Sequence, residues 1–260
     1  MGYSLERKVV WITGASSGIG AATARMLADR GAIPVLTARS PDKLERVSAQ
    51  IRGEHAAWTM DVTDERQADE TAGRIWERYG RLDILLNNAG YGEFVPFAEA
   101  DLEHFQGMMD VNYFGVIRCT KAALKYMLTA GDGHIVNVAS LAGKIGTPKA
   151  SGYAATKYAV IGLTESLRQE LRHTGIAVSA VNPGPVATAF FDRADPSGSY
   201  LRNLGPFVLK PERVARAIIR VMETRAPEIN LPWPLAAGAW LMRAFPRLTA
   251  GVAARILDRK

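Results

Sequence analysis

Cysteine is nearly absent: Cys119 is the only one in 260 residues. One thiol excludes an internal disulfide framework and a cysteine-built zinc site. Histidine is scarce as well. His55, His104, His134 and His173 are dispersed without an i, i+4 pair, read as surface or capping side chains, and imply no metal site. Long apolar runs are missing too. The best candidate, 235–257, is broken by Arg243, Pro246, Arg247 and Arg255, short of the roughly 20 apolar residues of a membrane span. The opening MGYSLERKVV shows no basic start with an apolar stretch behind it, so no signal peptide is expected. Gly2 begins a myristoylation pattern that fails at Glu6, where Ser or Thr is wanted. A reducing, cytoplasmic setting is the expectation.

Acidic excess is also lacking. The net charge is +6, and from Arg202 onward eleven Lys/Arg face four Asp/Glu. The body is thus close to neutral and the tail is basic. Neither a nucleic-acid-binding motif nor interleaved aromatics accompanies the basic residues, so nucleic acid is not an expected partner. With 48% apolar residues and no internal linker, repeat or low-complexity run before residue 230, the length suits one large domain.

What is present is alternation. Residues 8–13, 33–38, 57–61, 84–87, 134–139 and 177–182 are short Val/Ile-rich runs bounded by Gly, Asp or Asn, as in strands buried on both faces. Between them, 19–30, 42–52, 64–79, 105–128 and 153–173 carry helical patterns. This predicts an α/β fold with a doubly wound parallel sheet. The ligand crevice of such a sheet lies at the carboxyl ends of its strands.

After the first strand, Thr13-Gly14-Ala15-Ser16-Ser17-Gly18-Ile19-Gly20 runs straight into a helix. Glycines allow a tight turn and close backbone approach, and the amides of a helix N-terminus attract phosphate. The position points to a dinucleotide phosphate site; a purely structural turn is the alternative. An NAD site places a carboxylate about 20 residues further on. Here Ala38 stands there and Arg39 follows. A guanidinium can hold a ribose 2′-phosphate through paired charged hydrogen bonds. NADP is therefore preferred over NAD, against the alternative of a solvated surface arginine. Asp61-Val62 could bracket the adenine, and Asn87-Asn88-Ala89-Gly90 reads by itself as turn chemistry.

Ser140 follows the fifth strand, and Tyr153 and Lys157 stand at i and i+4 on a helix. A nearby cation favours a phenolate, which would bring Tyr153 toward working pH as a general acid–base. Ser140 can then hydrogen-bond a substrate carbonyl, and Lys157 has donors left for ribose hydroxyls.

Residues 13–20 and 87–90 with Asn112, Ser140, Tyr153, Lys157 and Pro183-Gly184 resemble, in order and spacing, the motif set of the short-chain dehydrogenase/reductase family over about residues 5–225. The resemblance implies a Rossmann-like domain of about seven strands and a catalytic tetrad of Asn112, Ser140, Tyr153 and Lys157. Asn112 would anchor a water in a proton relay through Lys157. Gly14, Ser16, Ser17, Gly18, Ile19, Gly20, Asn88, Ala89, Gly90, Tyr153, Lys157, Val186 and Thr188 would contact the cofactor, and Pro183-Gly184 would shape the nicotinamide pocket. A homodimer or homotetramer through 105–128 and 153–173 is implied as well. Tyr113-Phe114-Gly115, Leu141-Ala142-Gly143-Lys144 and the tail are similar to an uncharacterised bacterial branch.

Two departures matter. Ser16-Ser17 stands where many NADP-preferring members carry a basic residue. The chain also continues past Glu228–Leu231 into Pro232-Trp233-Pro234, where acyl-carrier-protein reductases of the family soon end. The expected division is a catalytic domain over 1–231 and a helical extension over 232–260.

In the family, the segment 189–210 is a lid over the substrate; here it holds Phe190, Phe191, Tyr200, Pro206 and Phe207. An apolar cavity is expected, the alternative being that these aromatics close the core; no charged residue is placed to clamp an acid, although Lys144, Arg193 and Arg202 could reach. The tail reads as two short helices split at Pro246, packed over the pocket or against a subunit, with an anionic membrane surface as the alternative. The expected activity is NADP(H)-dependent reduction of a small-to-medium apolar ketone or aldehyde, or oxidation of the alcohol. The alternatives are a non-catalytic dinucleotide-binding or membrane-surface protein and a 3-oxoacyl-carrier-protein reductase.

Overall fold

The structure, a computed structural model, describes residues 3–247. Strands β1 (Val9–Thr13), β2 (Ile33–Ala38), β3 (Ala56–Thr59), β4 (Ile84–Asn87), β5 (Gly133–Val138), β6 (Ile176–Pro183) and β7 (Glu228–Leu231) form one sheet in the order β3-β2-β1-β4-β5-β6-β7. Every neighbouring pair is parallel. Successive strand residues point to opposite faces. Val10 and Ile12 accordingly enter one core cluster, Val9 and Trp11 the other. Burial on both faces explains why the inner strands read as continuous apolar runs, while the edge strands β3 and β7 are only partly buried.

Helices α1 (Gly18–Ala28), α2 (Pro41–Ser48) and, later in the chain, α9 (Pro211–Thr224) cover the first face. Helices α3 (Glu65–Tyr79), α5 (Gly115–Ala130) and α6 (Ser151–Glu170) cover the second. Shorter helices α4 (Leu102–Met109), α7 (Phe190–Ala194) and α8 (Ser199–Leu204) border the carboxyl ends of the strands, and α10 (Trp233–Ala244) follows β7. Strand order reverses between β1 and β4, the switch point at which open α/β sheets bind ligands.

The structure corrects three readings. The helix expected over 105–128 is two helices joined by a π-helical turn at Asp110–Phe114. Asp101 caps the first by accepting from the His104 amide at 2.8 Å. Gly115 opens the second, where a Cβ would meet the Val62 side chain at 2.8 Å. Helix α9 is absent from the sequence reading although Val214, Ala215, Ile218, Ile219, Val221 and Met222 form its buried face. His134, read as a surface or capping residue, is fully buried in β5. In the tail, α10 supplies the first of the two expected helices; the second lies outside the described residues, as does Gly2.

Candidate active site

The loop after β1 takes its shape from what glycine permits. Gly14 and Gly18 have positive φ, +67° and +52°. A Cβ on Gly14 would stand 2.8 Å from Ala89 Cα, and one on Gly20 2.5 Å from the Gly14 carbonyl oxygen. The loop after β4 clamps this turn from above. The Asn88 side-chain amide donates to the carbonyls of Thr13 (2.9 Å) and Gly14 (3.1 Å), while the Asn88 and Ala89 backbone amides donate to Thr13 Oγ1. Ser17, the N-cap of α1, makes no side-chain capping bond. The first amides of α1 therefore have no side-chain acceptor from their own cap, as an anion site requires.

At the next strand ends, Arg39 is exposed beyond β2 and makes no ion pair among the described residues. Asp61 Oδ1 accepts from the Thr63 amide and hydroxyl, both at 2.9 Å. Val62 is buried beneath Gly115. These residues line the strand ends along the edge that leads away from the switch point.

Asn112 sits in the π-helical turn and is fully buried. Its Oδ1 accepts from the Tyr91 amide (2.9 Å), and its Nδ2 donates to the Tyr91 carbonyl (2.8 Å) and Thr156 Oγ1 (3.1 Å). The side chain is therefore spent on tying the β4 loop to α6. Any water relay at this residue has to use its backbone, where the π turn displaces the helical hydrogen-bond register.

Ser140, Tyr153 and Lys157 border a single cavity of about 600 Å³, as do Ile19, Asn88, Gly90, Pro183, Gly184, Val186 and Thr188. The Ser140 hydroxyl donates to the Pro183 carbonyl (3.2 Å) and accepts from the Ala142 amide (3.0 Å). Lys157 Nζ donates to the Val138 carbonyl at 3.0 Å. Phe94 and Phe190 pack on the Tyr153 ring at 6.3 and 5.4 Å between centroids. Gly92 makes room for them, since a Cβ there would lie 2.7 Å from Phe190.

Electrostatically the pair departs from the sequence expectation. Burial raises the pKa of the Tyr153 phenol above the ordinary value, with a hydrogen bond to Ser140 acting against it. Burial also pushes Lys157 down to about 8. Both charged forms lose water in the same enclosed space. The phenol is thus kept protonated rather than drawn toward neutrality.

The family profile for short chain dehydrogenases matches residues 8–197. The chain belongs to that family. Among relatives of this dehydrogenase, an uncharacterised oxidoreductase of Staphylococcus saprophyticus is 39% identical over 188 residues, covering 71% of this chain and 80% of that one. The uncharacterised oxidoreductase YxnA of Bacillus subtilis is 34% identical over 97% of this chain and 73% of its own. Among solved structures, a short-chain dehydrogenase/reductase from Burkholderia phymatum in complex with NAD superposes with a TM-score of 0.88 at 27% identity, covering 95% and 96% of the two chains. An actinorhodin polyketide ketoreductase with NADPH gives 0.79 at 31% identity, covering 89% and 97%. The chain is an NAD(P)-dependent oxidoreductase of this family.

The donor set of this dehydrogenase fits a nicotinamide dinucleotide. The glycine turn is packed too closely for a Cβ, which leaves its backbone bare, the α1 N-terminus has no side-chain cap, and Lys157 borders the cavity.

The sequence reading placed Asn88 at the cofactor and the tail over the pocket without saying how either acts. Thr13 and Asn88 act on the backbone of the turn, which their Asn and Thr identities do not announce. Helix α10 contributes Leu235, Gly238 and Met242 to the cavity, the place expected of the tail from its apolar composition. Lys144, Arg193 and Arg202 do not line the cavity. Lys144 pairs with Glu228 (2.8 Å), Arg193 with Glu93 (2.6 Å), and Arg202 donates to the Ser197 carbonyl. None of the three is placed to clamp an acidic group in the cavity. Among the described residues no group of three or more His, Cys, Asp and Glu could hold a metal. Burial pushes the Cys119 thiol up to about 12, so it is no nucleophile. No described helix is long and apolar enough to cross a membrane.

Proposed function

We propose that the chain is an NADP(H)-dependent carbonyl reductase, working in reverse as an alcohol dehydrogenase on small-to-medium apolar substrates. The carrying observation is that Ser140, Tyr153 and Lys157 meet at one cavity whose remaining wall is largely apolar and aromatic and carries no charge. The nicotinamide supplies the hydride when bound. Ser140 would orient the substrate carbonyl by turning its one hydroxyl proton from the Pro183 carbonyl to the substrate oxygen. Tyr153 gives that oxygen its proton, a role favoured by burial that keeps the phenol protonated. Lys157 holds a positive charge beside the phenol and has donors left for ribose hydroxyls after bonding Val138. Asn112 positions the β4 loop and α6 relative to one another, supporting the relay through Lys157.

For the cofactor, Gly14, Ser16, Ser17, Gly18, Ile19 and Gly20 would cradle the pyrophosphate and Arg39 the 2′-phosphate. Asp61 and Val62 would border the adenine. Asn88, Ala89, Gly90, Pro183, Gly184, Val186 and Thr188 would surround the ribose and nicotinamide. We assign residues 1–231 to the catalytic unit and 232–260 to an extension that closes the cavity. A homodimer or homotetramer through α5 and α6 is supported by the exposure of Leu128 and Tyr158 on those helices. The cytoplasm suits the single reduced Cys119. Reduction of 3-oxoacyl-carrier-protein ranks below a free ketone or aldehyde, because the α10 wall has no place in the short close of those reductases.

A panel of carbonyls and alcohols, followed by nicotinamide absorbance with NADPH and NADH in parallel, tests the reading. Tyr153→Phe should bind cofactor with unchanged affinity and lose turnover about 10²–10⁴-fold. Undiminished turnover would refute the role given to the phenol.

A further inference from the structure

Helix α10 is apolar on both sides, and among the described residues only one side is covered by protein. Pro234, Leu235, Gly238, Ala239 and Met242 face the cavity. Trp233 and Trp240, seven residues and thus about two turns apart, lie on the opposite side and are 74% and 68% exposed. Leu241 beside them is 47% exposed. A helix that is hydrophobic all round is expected to be covered all round, and two adjacent exposed tryptophans form an apolar patch that calls for an occupant.

The charges around the patch say which occupant. Arg243 flanks Trp240, with its guanidinium over the Tyr158 ring, and Arg247 follows. Between Glu228 and Asp258 the chain has no acidic residue, while Arg243, Arg247 and Arg255 fall inside that stretch. A second copy docked symmetrically on this face would set Arg243 and Arg247 against their own counterparts with no carboxylate between them, a repulsive arrangement in a two-fold interface. Tryptophan and leucine beside arginines match instead the interfacial zone of an anionic bilayer, where indole rings sit at headgroup level and cations meet the negative surface.

We propose that the outer face of α10 rests on an anionic lipid surface while its inner face walls the substrate cavity, and that the site takes neutral, lipid-dissolved carbonyl compounds. The substrate half of this statement rests on the reductase reading; the surface half does not. Apart from Lys157, no residue lining the cavity is charged, so a neutral apolar substrate is what the interior accepts. A substrate of that kind is concentrated in bilayers rather than in water. Placing one wall of the cavity on the bilayer brings the site to its reservoir.

The test is co-sedimentation of the full chain with vesicles of phosphatidylcholine alone and of phosphatidylcholine mixed with phosphatidylglycerol. Quenching of tryptophan fluorescence by brominated lipid runs in parallel on the unaltered protein. The expected result is pelleting with the anionic vesicles only, reduced by salt, with tryptophan emission quenched. Trp240→Ala combined with Leu241→Ala should weaken vesicle binding at least tenfold while leaving turnover of a water-soluble ketone unchanged. Equal soluble fractions with and without vesicles, or the absence of quenching, would overturn the proposal. So would self-association of the unaltered chain that the double substitution abolishes, because the face would then belong to a second copy. Vesicle binding by a protein inactive on every carbonyl would defeat the substrate half and the reductase reading, yet leave the lipid surface standing.

Discussion

Lys157 Nζ lies 5.7 Å from the centre of the Tyr153 ring, one helical turn away, and is held by the Val138 carbonyl at 3.0 Å. Lys157 is buried and Tyr153 half-buried, and dehydration is the largest influence on the charge of each. The pair is electrostatically expensive in the fold, which is the usual condition of a site kept for chemistry rather than stability.

The pH dependence of that cost is predictable. The pKa of Lys157 falls from 10.5 to about 8 on folding. Between these values the unfolded chain binds more protons, so this group's contribution to stability rises with pH across that window. Below pH 8 its full penalty is present. Lys157→Met removes the charge and leaves the Val138 carbonyl without its donor. The balance favours the variant by about 1–2 kcal/mol near pH 7. Thermal melting should show Lys157→Met more stable than the unaltered protein at pH 7, with the difference fading toward pH 10.5, and turnover lost. A variant less stable at pH 7 would contradict the dehydration argument. Reductive turnover of the unaltered protein should decline as pH rises through about 8, where the ammonium discharges.

Arg39 is the residue on which nucleotide choice is proposed to turn. It is exposed at the end of β2, without an ion partner among the described residues, and stands one position after Ala38. A bidentate charged contact with a phosphate is worth about 1.5–3 kcal/mol. Arg39→Ala should therefore raise the KM for NADPH roughly 10- to 100-fold and leave that for NADH within about twofold. Parallel titrations of the two nucleotides measure it; equal changes for both would remove Arg39 from the 2′-phosphate.

The layers legible in the sequence are those with local causes. Buried parallel strands are continuous apolar runs, and the glycine turn announces itself because only glycine tolerates the +67° and +52° φ values and the 2.5–2.8 Å approaches. What a tertiary neighbour decides was not legible. The break at Asp110–Phe114 ends at Gly115, where Val62, far away in the chain, leaves no room for a side chain. The raised phenol pKa depends on how deeply Tyr153 is enclosed, whereas spacing reveals only that a lysine is one turn away. The burial of His134 follows from its place in a central strand, which its scattered position among four histidines conceals.

His134 makes acid sensitivity a specific expectation. Burial depresses its pKa from 6.5 to about 3. Ser179 donates its hydroxyl proton to the Ala226 carbonyl, so the contact at 2.8 Å is His134 Nε2–H donating to Ser179, and Nδ1 has no partner. The neutral ring is what the fold holds. As pH falls below 6.5 the unfolded chain takes up a proton that the folded one refuses, and stability is lost down to about pH 3. Between pH 7.5 and 4.5 this amounts to about 2–3 kcal/mol. His134→Gln cannot titrate, so its urea-unfolding free energy should fall by that much less over the same interval. Identical losses in both proteins would show that His134 is protonated inside the fold.

Gly238 offers a direct measure of how far the substrate reaches. It lies in the interior of α10, where glycine costs about 1 kcal/mol relative to alanine, and its φ is not in the left-handed region. No neighbour forbids a side chain: a Cβ there meets nothing within 4 Å, and the residue lines the cavity. Leucine at this position should therefore stabilise the helix and at the same time fill the space between α10 and the lid residues Tyr200 and Leu204. Gly238→Leu should raise the Tm by a few degrees, by the helix-propensity gain. It should lower kcat/KM for a bulky apolar ketone about tenfold or more and leave a small ketone within about twofold. If bulky and small ketones suffer alike, the substrate does not extend to α10 and the volume near Gly238 has no part in selecting it.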